Sequence, residues 1–186
     1  MEEIPKQLNY QGKRVVLYGP ESTGKSTIAL ELALHYNSIF IPEFAREYLQ
    51  RKWDESKHVC TLQDLKPIAV GQRNLENQAT LKGSDYVFCD TDILETYVYS
   101  LAYFKQVPLS IEKAVHESHY DLYLLMDVDI SWVKDDLRDK PEEREEMFHK
   151  FEAALQTFNK PYKLISGKGS ERLKNAIAAI DSLSIK

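Results

Sequence analysis

RVVLYGPESTGKSTIALELALHY, from Arg14 to Tyr36, decides the reading of the whole chain. It joins a β-branched run to a helical run through Gly19-Pro-Glu-Ser-Thr-Gly24-Lys25-Ser26, which fits G-x-x-x-x-G-K-[ST] in full. Residues 14–19 are short and apolar and predict a buried strand. Beyond the loop, Ile28, Leu32 and Tyr36 recur at i, i+4 with Ala29 and Ala33 beside them, which predicts a helix. A strand, a glycine-containing loop and a helix in this order converge backbone N–H groups on an anion. Gly19 and Gly24 let the chain come close without a Cβ. The helix aims its N-terminus at the same point. Glu21, Ser22, Thr23 and Thr27 complete the loop and the first turn. Lys25 is the residue to reach β- and γ-phosphates, and the Ser26 hydroxyl is placed to ligate Mg²⁺. The expected ligands are ATP and Mg²⁺.

Outward from that stretch, strand and helix signals alternate. SIFIPE (38–43) reads as a second strand, stopped near Pro42, and FAREYLQRKW turns helical. TLQDLKPIAVGQRNLENQATLKG (61–83) predicts a long helix with Thr61 as N-cap, Gly83 at its end and a kink near Pro67. YVFCD (86–90) is a third strand, ILETYVYSLAYF (93–104) an aromatic-rich helix and SIEKAVHES (110–118) a shorter one. LYLLM (122–126) is a fourth strand. PEEREEMFHKFEAALQTF starts with proline and glutamates, a good helix opening. YKLIS, GKG and ERLKNAIAAIDSL read as a fifth strand, a turn and a last helix. Five strands alternating with helices give an α/β fold: a five-stranded parallel sheet covered on both faces. Residues 1–12 read as an N-terminal arm and residues 13–186 as one domain.

In such sheets, ligands gather at the carboxyl ends of the strands, so acidic and basic residues there are the candidates. Asp90 ends the third strand and is expected beside the metal. Asp92 either shares that role, binds substrate or caps the next helix. Glu43 ends the second strand. It is placed to accept a proton from an acceptor hydroxyl or to bind its sugar, with Arg46 and Glu47 on the following turn. After the fourth strand, DVDISWVKDDLRDKPEEREEM has the charge of a mobile lid. Arg138 and Arg144 are its phosphate-clamping candidates, since a guanidinium holds two oxygens at once. Trp132 either stacks on a flat ring or anchors the lid. The aromatic helix after Asp90 reads as core before it reads as a pocket wall. Gly167-Lys168-Gly169 lie where a loop would pass over the adenine. His116 and His119 read as surface residues of a helix, not as metal ligands.

The chain has 186 residues, 43% apolar and 28% charged, with a formal net charge of −5. That composition is ordinary for a folded domain. No run of five or more basic residues points to nucleic acid, and no apolar stretch reads as a signal peptide or a membrane span. Cys60 and Cys89 are far apart and form no CxxC pair. A cytoplasmic protein acting on a small molecule is expected, with its oligomeric state left open.

GPESTGKST, PEFAREYL, CDTD followed by TYVYS, and YDLYLLMDVDISWVKDDLRDKPEER together resemble the ribosylnicotinamide kinase domain of NadR-type proteins. The likeness runs from about Arg14 to the last helix. The loop alone is generic; the lid string and PEFARE are more particular. The resemblance implies a P-loop kinase with an arginine lid that phosphorylates the 5′-hydroxyl of nicotinamide riboside with Mg·ATP. By position it implies Gly24, Lys25, Ser26 and Thr27 for ATP and Asp90 for the metal region. Glu43, Arg46, Trp132, Arg138 and Arg144 fall in family blocks. Longer NadR proteins also carry an adenylyltransferase domain and some a helix-turn-helix. This sequence shows neither, so those functions are not carried over.

Overall fold

The computed structural model describes residues 3–134 and 141–183. The elements run β1 (Lys13–Tyr18), α1 (Lys25–His35), β2 (Ile39–Ile41), α2 (Phe44–Ser56), α3 (Leu65–Thr80), β3 (Tyr86–Asp90), α4 (Ile93–Phe104), α5 (Leu109–Glu117), β4 (Leu122–Met126), α6 (Arg144–Thr157), β5 (Tyr162–Ile165) and α7 (Ser170–Asp181). The strands form one sheet in the order β2-β3-β1-β4-β5. All four pairings are parallel.

β1 lies at the centre because it is apolar on both sides. Val16 and Tyr18 face the layer of α3 to α6, while Val15 and Leu17 face α1 and α7. Burial on both faces is why the strands read as continuous apolar runs instead of alternating ones. On the first face Tyr18 meets Tyr123 and Phe151 edge-on, with ring centroids 5.4 and 4.8 Å apart. Each such pair adds roughly 0.5–1.5 kcal/mol beyond its buried area. Tyr97 and Tyr99 of α4 pack edge-on against Phe158 and Phe151. The aromatic helix therefore contributes to the core, as its sequence suggested.

Pro67 produces no break. A 3₁₀ turn, Leu62–Asp64, comes first, and α3 begins only at Leu65. Pro67 thus sits in the first helical turn, where its missing N–H would have had no intrahelical partner. The Asp64 carboxylate accepts from the Thr61 N–H at 2.7 Å and its hydroxyl at 2.6 Å, fixing the start. The N-terminal arm is docked on the domain. Asn77 of α3 accepts from Leu8 N at 3.0 Å and donates to Lys6 O at 2.9 Å.

The register sets the site. Asp90 of β3 is level with Leu17 of β1, and Leu125 of β4 is level with Tyr18. The loop after β1 therefore opens between the ends of β3 and β4, where a parallel sheet places its ligands.

Candidate active site

The loop after β1 has a fixed shape. Gly19 has φ 136°, and a Cβ there would lie 3.0 Å from the Met126 carbonyl oxygen. Gly24 caps α1 in the left-handed region at φ 82°. Thr23 Oγ1 donates to Pro20 O at 2.8 Å and ties the loop across its own width. Lys25 is buried. Its Nζ donates to Gly19 O at 2.7 Å and Pro20 O at 3.0 Å, and lies 3.5 Å from Glu95 Oε1.

Asp90 stands at the end of β3, 2% exposed, with its side chain hydrogen-bonded by Ser26. Among the described residues, its Oδ1 is buried without a hydrogen-bond partner. Burial pushes its carboxyl above the usual range, against the pull of Lys25 and Ser26. An orphaned carboxylate oxygen beside a hydroxyl fits a divalent cation held by Ser26 and Asp90. Among the described residues, no group of three or more His, Cys, Asp and Glu is placed to hold a metal. Asp92 is otherwise engaged. Its Oδ1 accepts from Glu95 N at 3.2 Å as the N-cap of α4, and its Oδ2 accepts from the Tyr123 hydroxyl at 2.7 Å. Of the roles open to Asp92, capping is the one its geometry fulfils.

Glu95 carries no role in the sequence reading, yet it sits in the middle of this group. It is 5% exposed, and among the described residues its Oε2 is buried without a hydrogen-bond partner. Burial raises its carboxyl well above the usual range; Lys25 pulls it down, and Glu43, Asp90 and Asp92 push it further up. Four carboxylates and one ammonium thus share a single electrostatic neighbourhood.

Glu43 reaches it from the other side, at the N-cap position of α2. Glu43 and Arg46 are half-buried and line a cavity of about 610 Å³ with Pro42, Glu47, Gln50, Arg51, Asp54 and Glu55. Two contacts hold this wall to the site. Gln72 accepts from Phe44 N at 2.9 Å and donates to Thr91 O at 3.4 Å, bridging α2 to the turn after Asp90. The Phe44 ring lies where a Cβ on Gly71 would be, as close as 2.2 Å, so α2 approaches α3 only because Gly71 has no side chain.

The segment leaving β4 rests on the phosphate loop. Trp132 Nε1 donates to Glu21 Oε1 at 3.1 Å, and Val133 N donates to Ser22 Oγ at 2.9 Å. Arg144 donates to Ile130 O at 3.0 Å and Ser22 O at 3.2 Å, so it ties α6 to both. Of the two readings of Trp132, this contact is an anchor. Arg138 lies outside the described residues.

The AAA domain family AAA_28 matches residues 14–172. The chain belongs to this family. It is also similar to the trifunctional NAD biosynthesis/regulator protein NadR of Salmonella typhimurium, at 27% identity over 138 residues. The Escherichia coli NadR gives the same 27% over 138 residues. The match covers 74% of this chain but 34% of the Salmonella protein, so the chain spans about a third of the length of these relatives. Among solved structures, a NadR protein in complex with NR has a TM-score of 0.77 at 24% identity, covering 94% of this chain and 52% of that one. A NadR protein in complex with NAD and AMP-PNP has a TM-score of 0.75 at 25% identity, covering 92% and 49%. Thymidylate kinase from Ehrlichia chaffeensis has a TM-score of 0.65 at 16% identity, covering 92% and 98%. The fold is similar to that of NadR and of thymidylate kinase, and the chain is a P-loop protein of the AAA_28 family, similar in sequence to NadR.

Within this AAA domain, three site residues escape a reading by motif. Glu95 looks like one more polar residue of a helix start. Gln72 is one of several amides on α3. Arg172 of α7 is far from the loop in sequence. Its guanidinium donates to Thr23 O at 3.2 Å, Gly167 O at 2.8 Å and Asp127 O at 3.2 Å, and it pairs with Asp129. Asp129 Oδ2 also accepts from Gly167 N at 2.6 Å. One buried arginine thus joins the phosphate loop, the end of β4 and the turn after β5. The only sequence signal for it was a basic residue in the last helix of a domain whose loops need a tie.

Proposed function

We propose that this chain is a cytoplasmic kinase that transfers the γ-phosphoryl group of ATP to the 5′-hydroxyl of nicotinamide riboside, giving nicotinamide mononucleotide. The observation that carries the proposal is the convergence of donor and acceptor elements at one sheet edge. Lys25, Glu43 and Asp90 all act electrostatically on the buried Glu95 carboxyl, which supports reading them as parts of one site. The homology to NadR, and the NR and AMP-PNP named in complexes of NadR proteins, support this donor and this acceptor. Residues 13–186 would form the kinase domain, with residues 1–12 as an arm before it.

In this reading the N–H groups of Glu21 to Thr27 and the Lys25 ammonium hold the phosphate chain and meet the charge that develops during transfer. Ser26 and Asp90 would hold Mg²⁺, which supplies neutralisation of the phosphate oxygens. Glu43 orients the acceptor hydroxyl and takes its proton, and Arg46 binds the acceptor's sugar. In a loose phosphoryl-transfer transition state the gain comes chiefly from positioning, so Glu43 matters as much for alignment as for basicity. Trp132 and Arg144 hold the segment after β4 and the start of α6 on the phosphate loop, which supports the loop's shape around the nucleotide.

The test is ADP release from Mg·ATP against a panel of nucleosides. Stimulation by nicotinamide riboside above the other members is expected. Stimulation by a different nucleoside alone would replace the acceptor. Slow hydrolysis unaffected by any of them would replace the kinase with an ATPase switch.

A further inference from the structure

Three oxygens surround the Lys25 ammonium: the carbonyls of Gly19 and Pro20 at 2.7 and 3.0 Å, and Glu95 Oε1 at 3.5 Å. The Lys25 and Glu95 side chains are 9% and 6% exposed, so water screens their attraction far less than that of a surface pair. A lysine that is to hold β- and γ-phosphates must give up part of this set. Sharing the ammonium in this way opposes nucleotide binding by competition for the cation. Among the described residues, the second oxygen of Glu95 is buried without a hydrogen-bond partner.

We propose that Glu95 is a positioning residue for Lys25: it holds the ammonium at the mouth of the phosphate loop and competes with nucleotide phosphates for it. The consequence is a deliberately moderate affinity and a faster release of ADP after transfer, since affinity differences of this kind appear mainly in the off-rate. The proposal rests on the reading of the loop as an ATP site and is independent of which acceptor is used.

Calorimetric titration of the full chain with Mg·ADP tests it, using wild type, Glu95→Gln, Lys25→Ala and the double variant. Glu95→Gln is expected to bind Mg·ADP on the order of fivefold tighter, the reverse of what a damaged site would give. Glu95→Ala serves as a second variant and is expected to tighten binding as well, with circular dichroism reporting that each remains folded. In the Lys25→Ala background the gain is expected to vanish. Unchanged or weaker binding in folded Glu95→Gln and Glu95→Ala overturns the proposal. So does a gain that persists without Lys25. Wild-type affinity in Lys25→Ala alone would instead overturn the reading of the loop as the phosphate site.

Discussion

Around the donor loop, Thr23, Lys25 and Arg172 are 1%, 7% and 2% exposed. Side chains or backbone from the residue after β4, from β5, α6 and α7 bond to the loop or to the residues that hold it. On the acceptor side, α2 carries Glu43 and Arg46 but has no buried residue of its own. It is held by the Phe44 ring over Gly71, by Gln72, and by Tyr48 and Lys52 on Asp64. A phosphate chain is the same in every reaction of such a domain, so its cradle can be rigid. An acceptor wall mounted on an exposed helix can change its side chains at little cost to stability, because surface substitutions away from packed features are usually small in effect. On the proposed function, the donor half says what kind of chemistry is done, and the acceptor half says on what.

The largest expected break falls on the donor side. Lys25→Ala is expected to lower turnover by about 10²- to 10³-fold, the usual loss for one preorganised charge-stabilising donor; steady-state ADP release measures it. On the acceptor side Glu43→Gln is expected to lower transfer by about 10²-fold while leaving Mg·ADP affinity at its wild-type value. Equal losses in transfer and nucleotide binding would erase the division between the two halves.

The third expectation concerns α3, on which the acceptor wall is mounted. Glu76 is 1% exposed, with the Tyr120 hydroxyl 2.9 and 3.0 Å from its two oxygens and Arg73 Nη1 at 3.6 Å. Burial pushes its carboxyl up to about 7, with Arg73 pulling against it. A carboxyl raised on folding keeps its proton better in the folded state. The stability it contributes is fully present below about pH 4 and is lost as pH rises through 7. That loss is on the order of 3 kcal/mol. Urea unfolding at pH 5 and pH 8 is expected to show a larger drop for wild type than for Glu76→Gln; equal drops would contradict it.

The smallest effect is the most local. Gly71→Ala places a methyl group in the Phe44 ring and should tilt the start of α2, costing roughly 1–3 kcal/mol of stability. Its kinetic mark is expected to be a rise of a few-fold in the acceptor KM with the ATP KM unchanged, which steady-state kinetics resolves.

The sequence carried the donor half almost completely. The loop motif is local, so eight adjacent residues reveal it, and buried parallel strands announce themselves as apolar runs. Helix α4 and strands β3 and β4 fall where their patterns place them. Pro67 was misleading because its effect depends on which turn of the helix it occupies, and the 3₁₀ turn before Leu65 decides that. Asp92 was open to a metal, substrate or capping role, and only the structure shows that Tyr123, 31 residues on, donates to its second oxygen. Glu95, Gln72 and Arg172 were illegible for the same reason. Each acts across the fold, on partners that only the sheet order brings near. Arg138 was read as a clamp and lies outside the described residues.

The central claim, transfer to a nucleoside hydroxyl, is tested most directly by the fate of the phosphoryl group itself. The chain is incubated with nicotinamide riboside and ATP carrying ¹⁸O in its γ-phosphoryl group, and the products are separated and weighed by mass spectrometry. The expected result is nicotinamide mononucleotide that bears the label, formed in step with ADP. Unchanged nicotinamide riboside, with the label found only in inorganic phosphate, would contradict it.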